Sequence, residues 1–225
     1  MARLDGTHKV LFPEIDGTFP NHHPNPVDPE TLELLRAEVA AAGADLGIGF
    51  DGDGDRIGII DGKGRQVPGD LLTAFLAKDV AARHPGAPIL LDVKSSEAAL
   101  RLVESAGAAA QIWKTGHSHM KKRMKELKAP LAGEMSGHIF IADDYLGFDD
   151  AIYAAVRVIT QMVKGGQSIT EFMDSLPEQH ATPELRIDCP DTVKFDSMEK
   201  IRAHVLSGHD AADVNSIDGV RVRSG

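Results

Sequence analysis

The chain has 225 residues and a formal net charge of −10 at pH 7. Its length is sufficient for one large or two small domains with a substantial core. Its negative charge argues against nucleic acid as a partner, because general nucleic-acid binding needs a basic face. The single cysteine, Cys189, excludes a disulfide framework and is typical of the reducing cytosol. No apolar run approaches the roughly 18 to 20 residues of a membrane span, and the start does not resemble a secretory leader, so we predict a cytoplasmic protein without a membrane partner.

Strands and helices alternate along the chain, which is typical of an α/β fold. Asp28 is suited to cap a helix that begins at Pro29 and ends at Gly43. Two apolar strands, 89–93 and 109–113, are joined by a helix, so we expect a parallel βαβ unit. Apolar periodicity predicts further elements in chain order: a strand over 46–50, helices over 70–83, 149–163 and 197–206, and a strand start at 219–222.

Three aspartates, Asp51, Asp53 and Asp55, alternate with glycines directly after the strand 46–50. In a partly buried loop they cannot all stay ionised without a cation, because their mutual repulsion would protonate one of them. Ligands that are all oxygen favour magnesium or calcium over zinc or copper. Arg56 follows at once and is suited to bind a phosphate or one of the carboxylates. The pattern therefore predicts a Mg²⁺ loop beside a phosphate.

Two other interpretations of this loop remain open. A calcium loop of the EF-hand type also starts with alternating acidic residues, but it needs glycine sixth and glutamate twelfth, where this chain has Arg56 and Gly62. The loop could also be a plain acidic turn of a hairpin, because Asp-Gly pairs form turns readily. Three aspartates and an arginine are more charge than a turn requires.

Two further polar loops, 114–118 and 133–138, lie where an open α/β sheet presents its ligand site. Between them lies a basic cluster, which includes Lys121 and Arg123. We interpret this cluster as the solvated face of a helix whose Met120 and Met124 point to the core. The adjacent His22 and His23 are expected to be structural rather than metal ligands, because neighbouring residues of an extended chain point in opposite directions.

Six segments together resemble the α-D-phosphohexomutases, and most closely the bacterial phosphomannomutase/phosphoglucomutase group. Each segment alone is weak, but all six occur in family order. The resemblance implies mixed three-layer α/β/α domains, followed by the start of an α+β C-terminal domain. The segments are 16–26 (DGTFPNHHPNP), 51–56 (DGDGDR), 92–94 (DVK), 113–118 (WKTGHS), 133–140 (GEMSGHIF) and 147–150 (GFDD).

The activity that the resemblance implies is that of an isomerase. A phosphoserine donates its phosphate to a hexose phosphate, which gives a 1,6-bisphosphate, and the other phosphate then returns to the serine. Mannose or glucose 1- and 6-phosphate are the implied substrates. Asp51, Asp53 and Asp55 would hold Mg²⁺ against that phosphoserine, where the ion neutralises charge on the transferring group. Arg56 would lie beside the same phosphate.

The resemblance also implies how the sugar is bound. Glu134 and Ser136 would bind the hydroxyls of the ring, because a carboxylate accepts hydrogen bonds while a hydroxyl both donates and accepts them. Thr115, Gly116 and His117 match a second substrate-binding loop.

By the resemblance, His117 and Lys94 match family residues near the reacting hydroxyl, and His138 matches another histidine of the cleft. An imidazole that titrates near neutrality is suited to move the hydroxyl's proton, and we favour His117 over His138 for that role. Lys94 could instead be a surface lysine, and His138 could be a hydrogen-bonded core histidine.

By the same resemblance, residues 1–65 form the C-terminal part of domain 2, 66–177 form domain 3, and 178–225 form a truncated start of domain 4. The Ser-His-Asn-Pro motif of domain 1, which holds the phosphoserine, is not in the sequence, and neither is the phosphate-binding loop of domain 4. We therefore expect the missing domains 1 and 4 to be partners of this chain, and the chain alone to be inactive. The alternative is a complete, non-catalytic module that binds Mg²⁺ or a sugar phosphate.

Overall fold

The computed structural model describes residues 6–177, 185 and 187–223, and within them the strands form three sheets. The helix predicted between Pro29 and Gly43 is confirmed: a 3-10 turn (Pro29–Leu32) leads into α1 (Glu33–Ala42). Gly43 ends this helix in the left-handed conformation, with φ +59°, which glycine adopts without steric strain. Asp28 caps the start as expected.

The first sheet is an antiparallel meander of three strands, β1 (Leu46–Phe50), β2 (Ile57–Asp61) and β3 (Gln66–Val67). Leu46 lies opposite Asp61, and Phe50 lies opposite Ile57. The six residues 51–56 form the connection between β1 and β2, so the aspartates lie at one end of this sheet.

The second sheet has four strands in the order β5-β4-β6-β7, and it contains the predicted βαβ unit. The central strand β4 is parallel to β5 and to β6, while β7 is antiparallel to β6. The carboxyl ends of β4, β5 and β6 therefore lie at the same edge of the sheet, and the loops that follow them meet there. The strands are β4 (Pro88–Asp92), β5 (Ala109–Trp113), β6 (Leu131–Gly133) and β7 (Ile139–Ile141).

Helices cover both faces of the second sheet, which gives the predicted three layers. Ile89 and Leu91 of β4 belong to the core that α2, α3 and α5 share, while Leu90 between them packs against Met120 and Met124 of α4. This alternation follows from the two-residue period of a strand. The helices are α2 (Gly69–Arg83), α3 (Glu97–Ser105), α4 (His117–Leu127), α5 (Ala151–Gly165) and α6 (Ile169–Asp174).

Helix α5 begins at Ala151, two residues later than the sequence pattern predicts. The reason is that Asp150 is its N-cap and accepts a hydrogen bond from the amide of Tyr153. Asp149 lies outside the helix and pairs with Phe140 in an isolated antiparallel bridge.

The two sheets share one hydrophobic core. Ile57 and Ile59 of β2 lie in the same buried cluster as Phe75 of α2, Leu131 of β6 and Val158 of α5. Because protein interiors are close-packed, this shared core holds the aspartate loop in a defined position relative to the second sheet.

The C-terminal part contains α7 (Lys194–Gly208), a 3-10 turn (Ala211–Asp213) and a small hairpin of β8 (Val214–Asn215) and β9 (Arg221–Val222). The helix predicted over 197–206 is confirmed and is longer, while the strand predicted from 219 is shorter. Residues 178–184, where the last domain was predicted to start, lie outside the described residues. Within the part of the chain described, no helix is long and apolar enough to cross a membrane.

Candidate functional site

The aspartate loop is organised around the carboxylate of Asp51, whose side chain is 2% exposed. Its Oδ1 accepts hydrogen bonds from the backbone amides of Gly54, Asp55 and Arg56 at 3.0 to 3.1 Å. Its Oδ2 accepts from Nε of Arg56 at 2.7 Å. Burial alone would raise the pKa of Asp51, but the hydrogen bonds from Arg56 outweigh it and lower that pKa. The sequence suggested that Arg56 binds either a phosphate or one of the loop carboxylates, and in the structure it binds the carboxylate of Asp51.

Carboxylate oxygens of Asp51, Asp53 and Asp55 lie within 4.8 Å of one another. The pKa of Asp55 is raised by burial, by its hydrogen bond with Asp51 and by the charges of the other two aspartates. A raised carboxyl pKa means that the ionised form is disfavoured when no cation is present. The all-oxygen donor set and the crowding of charge both fit a hard divalent cation such as Mg²⁺.

Glu134 joins the two other predicted loops and is 2% exposed in its side chain. Its Oε1 accepts from the amide of Gly116 at 2.7 Å. Its Oε2 lies 3.0 Å from Oγ of Ser136 and 3.0 Å from Nδ1 of His138. Burial alone would raise the pKa of Glu134, but the hydrogen bonds from His138 and Gly116 lower it, so this carboxylate stays ionised.

His138 connects the 133–138 loop to the aspartate loop. Its Nε2 lies 3.4 Å from Oδ1 of Asp55, and its backbone forms an antiparallel bridge with Arg56. Burial alone would lower the pKa of His138, but Glu134, Asp55 and Asp149 raise it. The two regions that the sequence predicted to carry metal and sugar chemistry are therefore in direct contact.

His117 and Lys94 follow the strands β5 and β4. His117 is the first residue of α4, its side chain is 57% exposed, and its Nδ1 lies 3.1 Å from Nζ of Lys121. The centroids of the His117 and His138 rings are 6.3 Å apart. Lys94 is exposed in the loop after β4. Thr115 is tied to the end of that strand, because its Oγ1 lies 3.3 Å from Oδ2 of Asp92.

Two family models match this chain in order. The model described as "Phosphoglucomutase/phosphomannomutase, alpha/beta/alpha domain II" matches residues 7–64. The model described as "Phosphoglucomutase/phosphomannomutase, alpha/beta/alpha domain III" matches residues 68–180, which is half of the chain. The chain belongs to the phosphoglucomutase/phosphomannomutase family. The predicted resemblance and the predicted fold class are thereby confirmed.

Curated members of the phosphoglucomutase/phosphomannomutase family match nearly the whole chain. A phosphomannomutase/phosphoglucomutase of Pseudomonas putida is 47% identical over 212 residues, which are 94% of this chain and 45% of that protein. A phosphoglucomutase of Neisseria gonorrhoeae is 39% identical over 94% of this chain and 46% of its own length. The chain thus spans about half the length of the curated relatives that it matches.

A solved structure of the phosphoglucomutase/phosphomannomutase family has the same fold. The crystal structure of a family protein from Burkholderia thailandensis superposes with a TM-score of 0.82 at 40% sequence identity. The superposition covers 95% of this chain and 45% of that one.

The sequence analysis did not assign Asp149 to the candidate site. Asp149 lies with Asp55 and His138 in a second group whose ligand atoms are within 4.8 Å of one another. Its Oδ1 accepts from Nζ of Lys121 at 2.9 Å. The GFDD segment was the available signal for Asp149.

The predicted solvated helix face is confirmed for Lys122, Lys125 and Lys128, which are exposed, while Met120 and Met124 are buried as expected. Lys121 departs from it only in that its ammonium pairs with Asp149. Arg123 departs further, because its side chain is partly buried and its guanidinium lies 4.3 Å from the ring centroid of Trp113.

Proposed function

We propose that this chain is the metal- and sugar-binding part of a cytoplasmic phosphohexomutase, an isomerase that interconverts hexose 1-phosphates and 6-phosphates. The observation that carries the proposal is the contact between His138 and Asp55 at 3.4 Å. It places a candidate proton carrier beside a candidate ligand of the metal ion. Because the chain spans 45% of its curated relatives, the activity is proposed for a protein that also includes domains 1 and 4. We propose the same domain division as above, 1–65, 66–177 and 178–225.

Asp51, Asp53 and Asp55 would hold Mg²⁺, which when bound supplies positive charge to the phosphoryl group in transfer. Asp51 is pre-organised for this role because backbone amides and Arg56 fix its carboxylate. Arg56 adds a permanent positive charge to the same loop, since a guanidinium does not deprotonate in proteins.

Glu134 and Ser136 would bind the sugar hydroxyls, with Thr115, Gly116 and His117 on the opposite loop. Glu134 already fixes Gly116 through its Oε1, so the two loops present their polar groups as one surface. Lys94, exposed after β4, is suited to contact an anionic group of the substrate.

For the proton carrier, the geometry supports His138 over His117, which reverses the preference drawn from the sequence. Nδ1 of His138 is directed to Glu134, so Nε2 is the nitrogen that faces the aspartate loop. His117 is largely exposed, and its Nδ1 lies 3.1 Å from Nζ of Lys121 rather than beside the aspartate loop. We propose that His138 takes and returns the hydroxyl proton at Nε2, and that His117 contacts the substrate.

The test is a mutase assay with mannose 1-phosphate and glucose 1-phosphate, Mg²⁺ and a trace of the matching 1,6-bisphosphate. The chain is assayed alone, and then with a separately expressed first domain that carries the serine and a complete fourth domain. We expect activity only on complementation, because in-line transfer needs the donor serine in place. Asp53→Asn should abolish the restored activity, while Asp45→Asn, which changes an exposed acid outside the loop, should not.

Activity of the 225-residue chain alone would contradict the requirement for the missing serine. The chain could also be inactive both alone and with the two added domains, while it still binds Mg²⁺ and glucose 1-phosphate. In that case the chain is a non-catalytic binding module, and the proposed isomerase activity is wrong.

A further inference from the structure

The C-terminal hairpin, residues 214–222, reaches both loops that follow the parallel strands β4 and β5. Its two short strands pair Val214 with Val222 and Asn215 with Arg221. Gly219 allows the turn between them through its left-handed conformation, with φ +68°. Arg221 and Asp218 extend from this hairpin to loops of the second sheet that lie more than 100 residues earlier in the chain.

Arg221 holds the loop that carries Lys94. One guanidinium nitrogen, Nη1, donates to the carbonyls of Val93 and Ser95, the two residues that flank Lys94. The other, Nη2, donates to Oε1 of Glu97 at 2.8 Å. The side chain is only 18% exposed, and a planar fork with several fixed donors is suited to bridge such acceptors.

Asp218 holds the neighbouring loop at Thr115. Its Oδ2 accepts from the amide of Thr115 at 2.9 Å. The next amide of the chain, that of Gly116, donates to Glu134. Two successive amides of this loop are thus held from opposite sides, one by the hairpin and one by the candidate sugar-binding carboxylate.

We propose that Arg221 and Asp218 are positioning residues of the site, which hold the backbone of Lys94 and of Thr115 in the arrangement that binds the sugar phosphate. The inference rests on the proposed function, and it deepens that proposal by making the C-terminal hairpin an integral part of the substrate site. The described bonds of Arg221 and Asp218 reach residues 93–97 and 115, not the aspartate loop. Replacing either residue is therefore expected to weaken sugar-phosphate binding without changing metal binding.

The first test is amide hydrogen exchange of the 225-residue chain, followed residue by residue by NMR. Asp218→Ala should speed exchange of the Thr115 amide about tenfold, because it removes the acceptor of that amide. Asp218→Asn should restore protection, since its amide oxygen can accept the same bond. Exchange at Leu90 in the centre of β4 should not change, which shows that the variants stay folded.

Arg221→Lys is the matching variant for the other loop. A lysine keeps the positive charge but lacks the rigid fork, so the amides of Lys94 and Ser95 should exchange faster by severalfold. Arg223→Lys is the control in the same hairpin, because Arg223 binds Asp213 of its own segment.

The second test measures the affinities of these variants for glucose 1-phosphate and, separately, for Mg²⁺ alone. We expect Asp218→Ala and Arg221→Lys to weaken glucose 1-phosphate binding severalfold and to leave Mg²⁺ affinity unchanged. Unchanged exchange in both loops would overturn the proposal, as would faster exchange with unaltered sugar-phosphate affinity. If the wild-type chain does not bind glucose 1-phosphate, the proposed function fails, while exchange still decides whether the hairpin holds the loops.

Discussion

The amide of Ile57 donates a hydrogen bond to the carbonyl of Gly137 across 3.0 Å. Together with the bridge between Arg56 and His138, this bond joins the first sheet to the 133–138 loop. Gly137 has φ +92°, and a Cβ atom there would lie 2.7 Å from the carbonyl oxygen of Ile57. The contact between the two halves of the site therefore depends on the absence of a side chain at residue 137.

Gly137→Ala should destabilise the chain by about 2 kcal/mol or more, because it adds backbone strain and a steric clash. It should also weaken the contact between His138 and Asp55. Gly86→Ala is the matched control: Gly86 has φ +76°, and nothing lies within 4 Å of its would-be Cβ, so only the strain of about 1 kcal/mol applies. Urea unfolding of both variants gives the comparison. Equal losses of stability would contradict the role of the close contact.

Elements with strong local patterns could be predicted from the sequence. The helix that ends at Gly43, the parallel strands β4 and β5 and the aspartate loop after β1 all depend on neighbouring residues. Their capping and apolar periodicity are readable without tertiary information. The resemblance then placed Glu134 and His138 in one site, which neither spacing nor composition alone could do.

Contacts between distant segments could not be predicted in this way. The ion pair of Lys121 with Asp149 joins residues that are 28 positions apart in the chain. Helix α4, which carries Lys121, has the charge pattern of a solvated face, so the sequence gives no sign of this pairing. The bonds of Asp218 and Arg221 to the loops of the second sheet span more than 100 residues. Such pairings depend on how the elements pack, and a single sequence contains no local signal for them.

Asp55→Asn should have opposite effects with and without metal. The raised pKa of Asp55 means that its charge is disfavoured in the metal-free chain, so the neutral side chain should raise the melting temperature in the presence of a chelator. The same change should weaken Mg²⁺ binding at least about tenfold, because it removes a charged ligand. Thermal unfolding with chelator and with excess Mg²⁺ measures both effects.

The gain in stability of Asp55→Asn in the metal-free chain should also depend on pH. An acid whose pKa is raised on folding contributes stability below the ordinary carboxyl pKa and loses it as pH rises through the folded value. The advantage of Asp55→Asn should therefore grow as pH rises above about 4. Asp45→Asn is the control for general charge. A gain of equal size in that control would show that net charge, and not crowding in the loop, is responsible.

Glu134→Gln should lower the pKa of His138 toward its ordinary value. Hydrogen bonding and charge from Glu134 are the main influences that raise this pKa against burial, and glutamine keeps the shape but not the charge. An NMR titration of the His138 ring provides the measurement. Ser136→Ala, which leaves every charge in place, should change the pKa much less. If the titration of His138 does not change in Glu134→Gln, Asp55 and Asp149 are the dominant partners instead.

Asp143 is the centre of an ion-pair network away from the site, and its side chain is 2% exposed. Its carboxylate accepts from His84 at 2.7 Å and from Arg157 at 2.8 Å, and it also pairs with Arg83. Burial alone would raise the pKa of Asp143, but these three partners lower it below its ordinary value of 3.8.

Asp143→Asn should destabilise the chain by about 2 kcal/mol near pH 7, the size expected for hydrogen bonds to a buried charged group. Because the folded pKa is lowered, this stabilisation is present above the ordinary carboxyl pKa and is lost as pH falls through the folded value. The difference in unfolding free energy between wild type and variant should therefore be constant from about pH 5 to 7 and shrink below about pH 4. Asp144→Asn, whose side chain is 90% exposed, should change stability by less than about 0.5 kcal/mol. A difference for Asp143→Asn that grows toward acid pH would contradict a lowered pKa, because it would require the folded chain to bind the proton more tightly than the unfolded one.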